Sequence, residues 1–226
     1  MTGYVIAVGN YKGGVGKTTL SGNLAWALAA ESGCNVVLVD ADPQGSSTTW
    51  FDLCESDVPF ERVQLNTAGL LLSSIRRLRH RHDLILIDCP PKDNEVTGAA
   101  FAQSDLGLVP LSPSPMDVFS YSRLVPMLNQ ARAINERLQL RFVVNQFKAR
   151  TVLGRELPDA LADADVPIAE SMIRARQIYQ DVVREGDSVV CHNGPARDEM
   201  LSLAVEVMDI RDKQSELLVS NLQGVA

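Results

Sequence analysis

No stretch of the 226 residues is apolar for long enough to cross a bilayer as a helix, and the opening MTGYVIAVGN has no basic segment ahead of its apolar run. Neither a membrane span nor a secretory leader is expected, and the expected location is cytoplasmic. The four cysteines, Cys34, Cys54, Cys89 and Cys191, include no C-x-x-C pair, which argues against a zinc knot and fits reduced thiols. Histidine is scarce: His80 and His82 flank Arg81 at the end of a basic segment. With no further ligand nearby in sequence, both are expected on a solvated surface and not at a metal site. Positive charge is also in deficit. The formal net charge of −7 opposes nucleic-acid binding by the chain as a whole, although a local basic face can still act within a Debye length. Internal repeats, low-complexity tracts and linkers are absent. What is present, 46% hydrophobic and 22% charged residues, suits a single α/β domain over residues 1–226.

Apolar runs alternate with helical patterns along the whole length. Tyr4 to Val8 is almost wholly apolar, as a strand covered on both faces would be. A helix is expected from Lys17 to Glu31, with Leu20, Leu24, Ala27 and Leu28 at helical spacing and Gly33 as its stop. Asn35 to Asp40 (NVVLVD) and Asp83 to Asp88 (DLILID) read as buried strands ending in carboxylates, and a strand-end carboxylate faces the ligand crevice of an open parallel sheet. Between them, Pro43 and Gly45 mark a turn, Ser46 or Ser47 is the expected helix N-cap, and a weak strand near Arg62 to Leu65 precedes a helix from Thr67 to Arg81. Helical spacing spreads Arg76, Arg77, Arg79 and Arg81 over more than one face, as solubilising residues or a partner surface. Asp105 to Leu111 is a further strand, broken by PSPMD, followed by a helix from Val118 to Arg137 and a strand from Leu140 to Asn145. Beyond it are expected a helix over Thr151 to Ala164 interrupted by Pro158, a short strand near Ile168, helices over Ala175 to Glu185 and Arg197 to Leu218, and a frayed end from Ser220 to Ala226. Such alternation predicts a doubly wound, mostly parallel sheet with helices on both faces.

Residues 10–19, NYKGGVGKTT, carry the strongest chemistry. The general phosphate-binding pattern G-x-x-x-x-G-K-[ST] needs glycine at two places, so that bare backbone amides can curl round phosphate oxygens. Tyr11 stands where the first glycine is expected, and a second lysine, Lys12, precedes the glycines. This variant resembles the deviant Walker A box of the ParA/MinD group of P-loop ATPases. The blocks VLVDADPQGSST, LILIDCPP and VPLSPSPMDV follow in that family's order and spacing, and with three residues before the first strand the chain is most similar to the small ParF-like partition ATPases.

The motif puts Lys17 on the β- and γ-phosphates, the backbone of Gly13, Gly14, Val15 and Gly16 around them, Thr18 on magnesium and Thr19 on the α-phosphate. Asp88, at a strand end, suits a magnesium ligand. The resemblance further implies that Asp42 orients the attacking water, that Asp40 supports the metal shell, and that Lys12 reaches phosphates bound by the partner in an ATP-sandwich homodimer. It also implies adenine contacts from Pro113, Ser114, Pro115, Met116, Asp117 and Asn145. ATP or ADP with Mg²⁺ is the expected ligand, and slow hydrolysis stimulated by a centromere-binding or adaptor protein the expected activity. Nucleoid association through non-specific DNA would draw on Lys148, Arg150, Arg155, Arg174, Arg176 and Arg184, because basic residues gather there while 185–226 is strongly acidic. That acidic end lacks the basic amphipathic anchor of a MinD-like membrane ATPase. Positioning of a protein cargo, and a small-molecule kinase or synthetase sharing the nucleotide fold, are the alternatives.

Overall fold

A computed structural model describes residues 3–55, 57–92, 94–112, 115–148 and 166–223. The apolar runs form six parallel strands, β1 (Tyr4–Val8), β2 (Val36–Asp40), β3 (Glu61–Gln64), β4 (Leu84–Asp88), β5 (Leu106–Leu111) and β6 (Gln139–Val144), in the order β3-β2-β4-β1-β5-β6. The helices are α1 (Lys17–Ser32), α2 (Ser46–Asp52), α3 (Ala68–Arg81), α4 (Asn94–Ala102), α5 (Pro115–Ile134), α6 (Ile178–Glu185) and α7 (Pro195–Gln223), with a 3-10 turn at Val189–Cys191. No described helix is long and apolar enough to cross a membrane.

Every residue of β1, β2, β4 and β5 is buried, because helices cover both faces of the sheet. Tyr4, Ile6 and Val8 enter one core with residues of α1, α2, α6 and α7, while Val5 and Ala7 enter the other with residues of α3, α4 and α5. On the first face α1 and α2 approach so closely that a Cβ on Gly22 would collide with the Trp50 ring and come within 2.9 Å of Phe51. Trp50 stacks on Phe51 with ring centroids 4.4 Å apart, and Phe60 meets Phe51 edge-on at 5.2 Å. These large rings seat α2 beside the phosphate-loop helix.

Several expectations are corrected. Helix α4 was not expected: Gly98 and small residues weaken its pattern, yet parallel β4 and β5 require a crossover. PSPMD does not wholly break the chain, since Pro115, Met116 and Asp117 form the first turn of α5, where proline's missing N–H costs nothing. Near Ile168 there is only an isolated bridge to Phe142, and α6 begins late because Ala175 N is engaged by the Phe147 carbonyl. The last helix runs on as far as Gln223; residues 224–226 and the expected helix over Thr151 to Ala164 lie outside the described residues. Neither Ser46 nor Ser47 caps α2, whose N-cap is Gly45 with φ 64°. Asp40 does this work from the strand end, accepting bonds from Thr48 N and Thr48 Oγ1, both at 2.9 Å.

Two surface assignments also change. His82 turns inward past the end of α3, is buried, and pairs with Glu61 through Nε2 at 3.0 Å; His80 stays exposed. Arg79 reaches under the sheet to Asp105 at 2.8 Å and to the carbonyls of Gly3 and Gln103. It fastens α3 to the strand starts, whereas Arg76 and Arg77 are exposed as expected.

Candidate nucleotide site

Register aligns Asp88 with both Val8 and Asp40, so two carboxylates lie side by side where β1 opens into the phosphate loop. The chain turns to opposite sides of β1 on leaving β1 and β4, which makes this the crevice where open α/β sheets take their ligands. Asn10 anchors the start of the loop: its Nδ2 donates to the Pro110 carbonyl at 2.8 Å, and its Oδ1 accepts from Lys12 N at 3.0 Å. The loop ends at Gly16, with φ 84°, where a Cβ would strike Asn145 Nδ2.

Lys17 is buried beneath the loop, with Nζ donating to the Lys12 carbonyl at 3.0 Å. Burial lowers its pKa, and the nearby Asp88, Cys89 and Asp42 groups partly offset this. Asp88 is fully buried. Its Oδ1 accepts from Ser21 Oγ at 3.1 Å, while its Oδ2 has no hydrogen-bond partner among the described residues. Burial pushes the carboxyl up to about 7; Asp40 adds to the rise, and Thr18, Ser21 and Lys17 oppose it.

An orphaned carboxylate oxygen beside a threonine hydroxyl and a second carboxylate fits a hard divalent cation, which prefers oxygen and would offset the buried charge. Thr18 and Asp88 are the residues that could hold it. Asp40 stands one step back, because its Oδ2 serves Thr48 and its Oδ1 accepts from Asp42 N at 3.1 Å. Among the described residues no group of three or more His, Cys, Asp and Glu side chains could hold a metal alone, so phosphate and water would have to complete the shell. Asp42 is partly exposed, and its Oδ1 accepts from Gln44 N at 2.9 Å. Cys89 is buried and its thiol pKa is raised by burial.

Beyond Gly16 and Thr19 a cavity of about 600 Å³ runs between the end of β6 and α6, lined also by Ser112, Asn145, Gln146, Tyr179 and Gln180. That volume is in the range of small-ligand sites. Asn145 sits at its wall, with Nδ2 donating to the Val15 carbonyl at 2.7 Å, so it braces the loop as well as facing the cavity. Pro113 and Ser114 lie outside the described residues, and Pro115, Met116 and Asp117 are placed by their helical backbone.

Lys148, Arg174 and Arg176 line this same cavity. Arg176 is bound to Glu199 at 2.6 Å, Arg174 lies 3.8 Å from the same carboxylate, and Arg184 pairs with Asp181 and Glu185 on the surface. Arg150 and Arg155 fall outside the described residues. Sequence reading missed Ser21, four residues after Lys17 on the same face of α1, and Gln146, whose Nε2 donates to the Gly14 carbonyl at 3.0 Å from a backbone with φ 56°. Helical spacing from Lys17 could have found Ser21; nothing local marks Gln146.

Residues 6–189 match the family model described as the CobQ/CobB/MinD/ParA nucleotide binding domain. The chain is 32% identical over 213 residues to the maintenance of carboxysome distribution protein A of Halothiobacillus neapolitanus, spanning 91% of this chain and 96% of that protein. It is 31% identical to the chromosome partitioning protein ParA of Caulobacter vibrioides, spanning 72% of this chain and 80% of that one. Among solved structures, the septum site-determining protein MinD of Pyrococcus horikoshii, complexed with Mg-ADP, has a TM-score of 0.76 at 21% identity over 93% of this chain and 98% of its own. An ATP complex of Cyanothece McdA has a TM-score of 0.74 at 16% identity over 92% and 97%. At such identities these two bear on the fold alone.

Proposed function

The chain belongs to the CobQ/CobB/MinD/ParA family of nucleotide-binding domains, and we propose that it is a magnesium-dependent ATPase that positions a cargo by cycling between an ATP-bound homodimer and a dispersed state. The observation that carries this is the buried pair beneath the phosphate loop, Lys17 with its depressed pKa and Asp88 with an oxygen left unpartnered. Both groups are costly as they stand. A phosphate chain with its cation would supply the charge each lacks.

In this mechanism the Gly13 to Gly16 amides and Lys17 cradle the β- and γ-phosphates, and Thr19 takes the α-phosphate. Thr18 and Asp88 hold magnesium, which when bound neutralises phosphate charge during phosphoryl transfer. Asp42, at the open side of the crevice, orients water for in-line attack on the terminal phosphorus. Lys12 acts on phosphates held by the second copy, so hydrolysis is slow until the dimer forms. The family resemblance offers Pro113 to Asp117 and Asn145 as adenine contacts.

Near-complete coverage of the carboxysome distribution protein favours a protein assembly as cargo, coupled through an adaptor protein that stimulates hydrolysis. The match to the Caulobacter partitioning protein favours a second reading, plasmid or chromosomal DNA with a centromere-binding partner. Either form travels over nucleoid DNA through Lys148, Arg150, Arg155, Arg174, Arg176 and Arg184. Phosphate release should require ATP and magnesium and stop in chelator. DNA retention should require ATP and weaken steeply with salt. Absence of magnesium-dependent turnover would refute the ATPase, and salt-independent retention would refute the DNA contact.

A further inference from the structure

Behind the phosphate loop a series of buried and partly buried hydrogen bonds leaves the nucleotide site and returns to it. Asn23, in the second turn of α1, is fully buried. Its Nδ2 donates to the Thr19 carbonyl at 2.8 Å, and its Oδ1 accepts from Ser188 Oγ and from Val189 N, both at 2.9 Å. Ser188 N is bound in turn to Asp187 Oδ1 at 2.6 Å. The Asp187 carbonyl accepts from Trp50 Nε1 at 3.0 Å, and the Val182 carbonyl of α6 shares that donor at 3.2 Å. Trp50 belongs to α2, whose first turn is bound to Asp40 through Thr48, and Asp40 also holds Asp42 N.

Thr19 on the phosphate side and Asp42 on the water side are thereby joined through a turn at 187–189 that does not line the nucleotide cavity. Apolar side chains could pack α1 against this turn without burying an amide and a hydroxyl. The polar connection has a different property: its bonds are directional, so a shift of the Thr19 carbonyl or of Trp50 is transmitted and not absorbed. The geometry points to Asn23 as a positioning residue for the proposed hydrolysis, acting through Ser188 and Trp50 to keep α2, and with it Asp42, in register with the phosphate loop. The inference rests on the ATPase reading above.

The chain has two tryptophans, so a Trp26→Phe background leaves Trp50 as the sole tryptophan, excited apart from the tyrosines at the red edge of the absorption band. In that background, ATP affinity, steady-state turnover and the Trp50 emission change on adding Mg-ATP are measured for Asn23→Ala, Ser188→Ala and Ser188→Thr. Both alanine variants are expected to bind ATP within about threefold of the parent, to lose about tenfold or more in kcat, and to lose the Trp50 response, because displacement of an ångström at a reacting group costs orders of magnitude in rate. Ser188→Thr keeps the hydroxyl and should recover kcat. Should Asn23→Ala fail to fold, Ser188→Ala, which removes the donor to Asn23 and the acceptor of Val190 N but leaves the Asn23 amide in place, decides alone. Retained kcat and Trp50 response, with only a lower thermal midpoint, would show a fold staple and overturn the inference. A parent that hydrolyses ATP with no Trp50 response overturns the coupling and leaves the ATPase standing; a parent that binds no ATP overturns both.

Discussion

Asp88→Asn tests whether the site is destabilised for its ligand. The substitution keeps the shape of a fully buried side chain and removes its charge. In the folded protein burial raises the Asp88 carboxyl from 3.8 to about 7; at about 1.4 kcal/mol per pKa unit this amounts to roughly 4 kcal/mol. A raised carboxyl pKa means that stability is fully present below about pH 4, declines as pH rises because the unfolded chain ionises first, and is lost once the folded carboxyl has ionised above about pH 7. At pH 8 without cation, the parent therefore carries the whole cost. The asparagine NH₂ needs an acceptor of its own, which reduces the expected gain to roughly 2 kcal/mol. For a domain of this size that is about 4–8 °C in Tm. Thermal unfolding in chelator should show the variant more stable than the parent at pH 8, with the gap narrowing towards pH 5. Adding Mg-ATP should stabilise the parent more than the variant, which keeps the phosphate loop but lacks the carboxylate for the cation, and so close or reverse the gap. An asparagine variant less stable than the parent at pH 8 in chelator would refute the reasoning.

Lys12→Ala should bind ATP within a few-fold of the parent, yet lose about 100-fold in turnover and fail to dimerise in sedimentation; turnover equal to the parent would contradict the shared site. Gly22→Val drives a side chain into Trp50 and Phe51 and should cost about 1–3 kcal/mol in urea unfolding, with loss of near-ultraviolet dichroism from the stacked rings. Arg79→Ala strands Asp105 and two carbonyls at the strand starts. Because the pair is partly exposed, a loss of about 2 kcal/mol is expected, with ATP turnover per folded molecule unchanged because the site lies at the other end of the sheet.

The sequence by itself determined what local rules control. KGGVGKTT has one plausible backbone use, strand runs such as VVLVD and LILID are apolar throughout, and their terminal aspartates fall at the carboxyl edge of whatever sheet they join. From these the layers, the phosphate loop and the strand-end places of Asp40 and Asp88 were legible, while the roles offered for Asp40 and Asp42 came from the family resemblance. Helix α4 was not, since small residues around Gly98 carry little periodic signal and only the need to cross from β4 to β5 calls for it. Only the tertiary structure decided where polar side chains near a helix end would go, turning His82 inward from just past α3 and Arg79 beneath the sheet from its last turn. It also transferred the capping of α2 from the adjacent serines to Asp40, whose carboxylate accepts from Thr48 N and Oγ1 across the loop. The same holds for Asn23 and Ser188, which are 165 residues apart. A buried amide chooses its partner by the space that other elements leave around it, and no spacing along the chain records that.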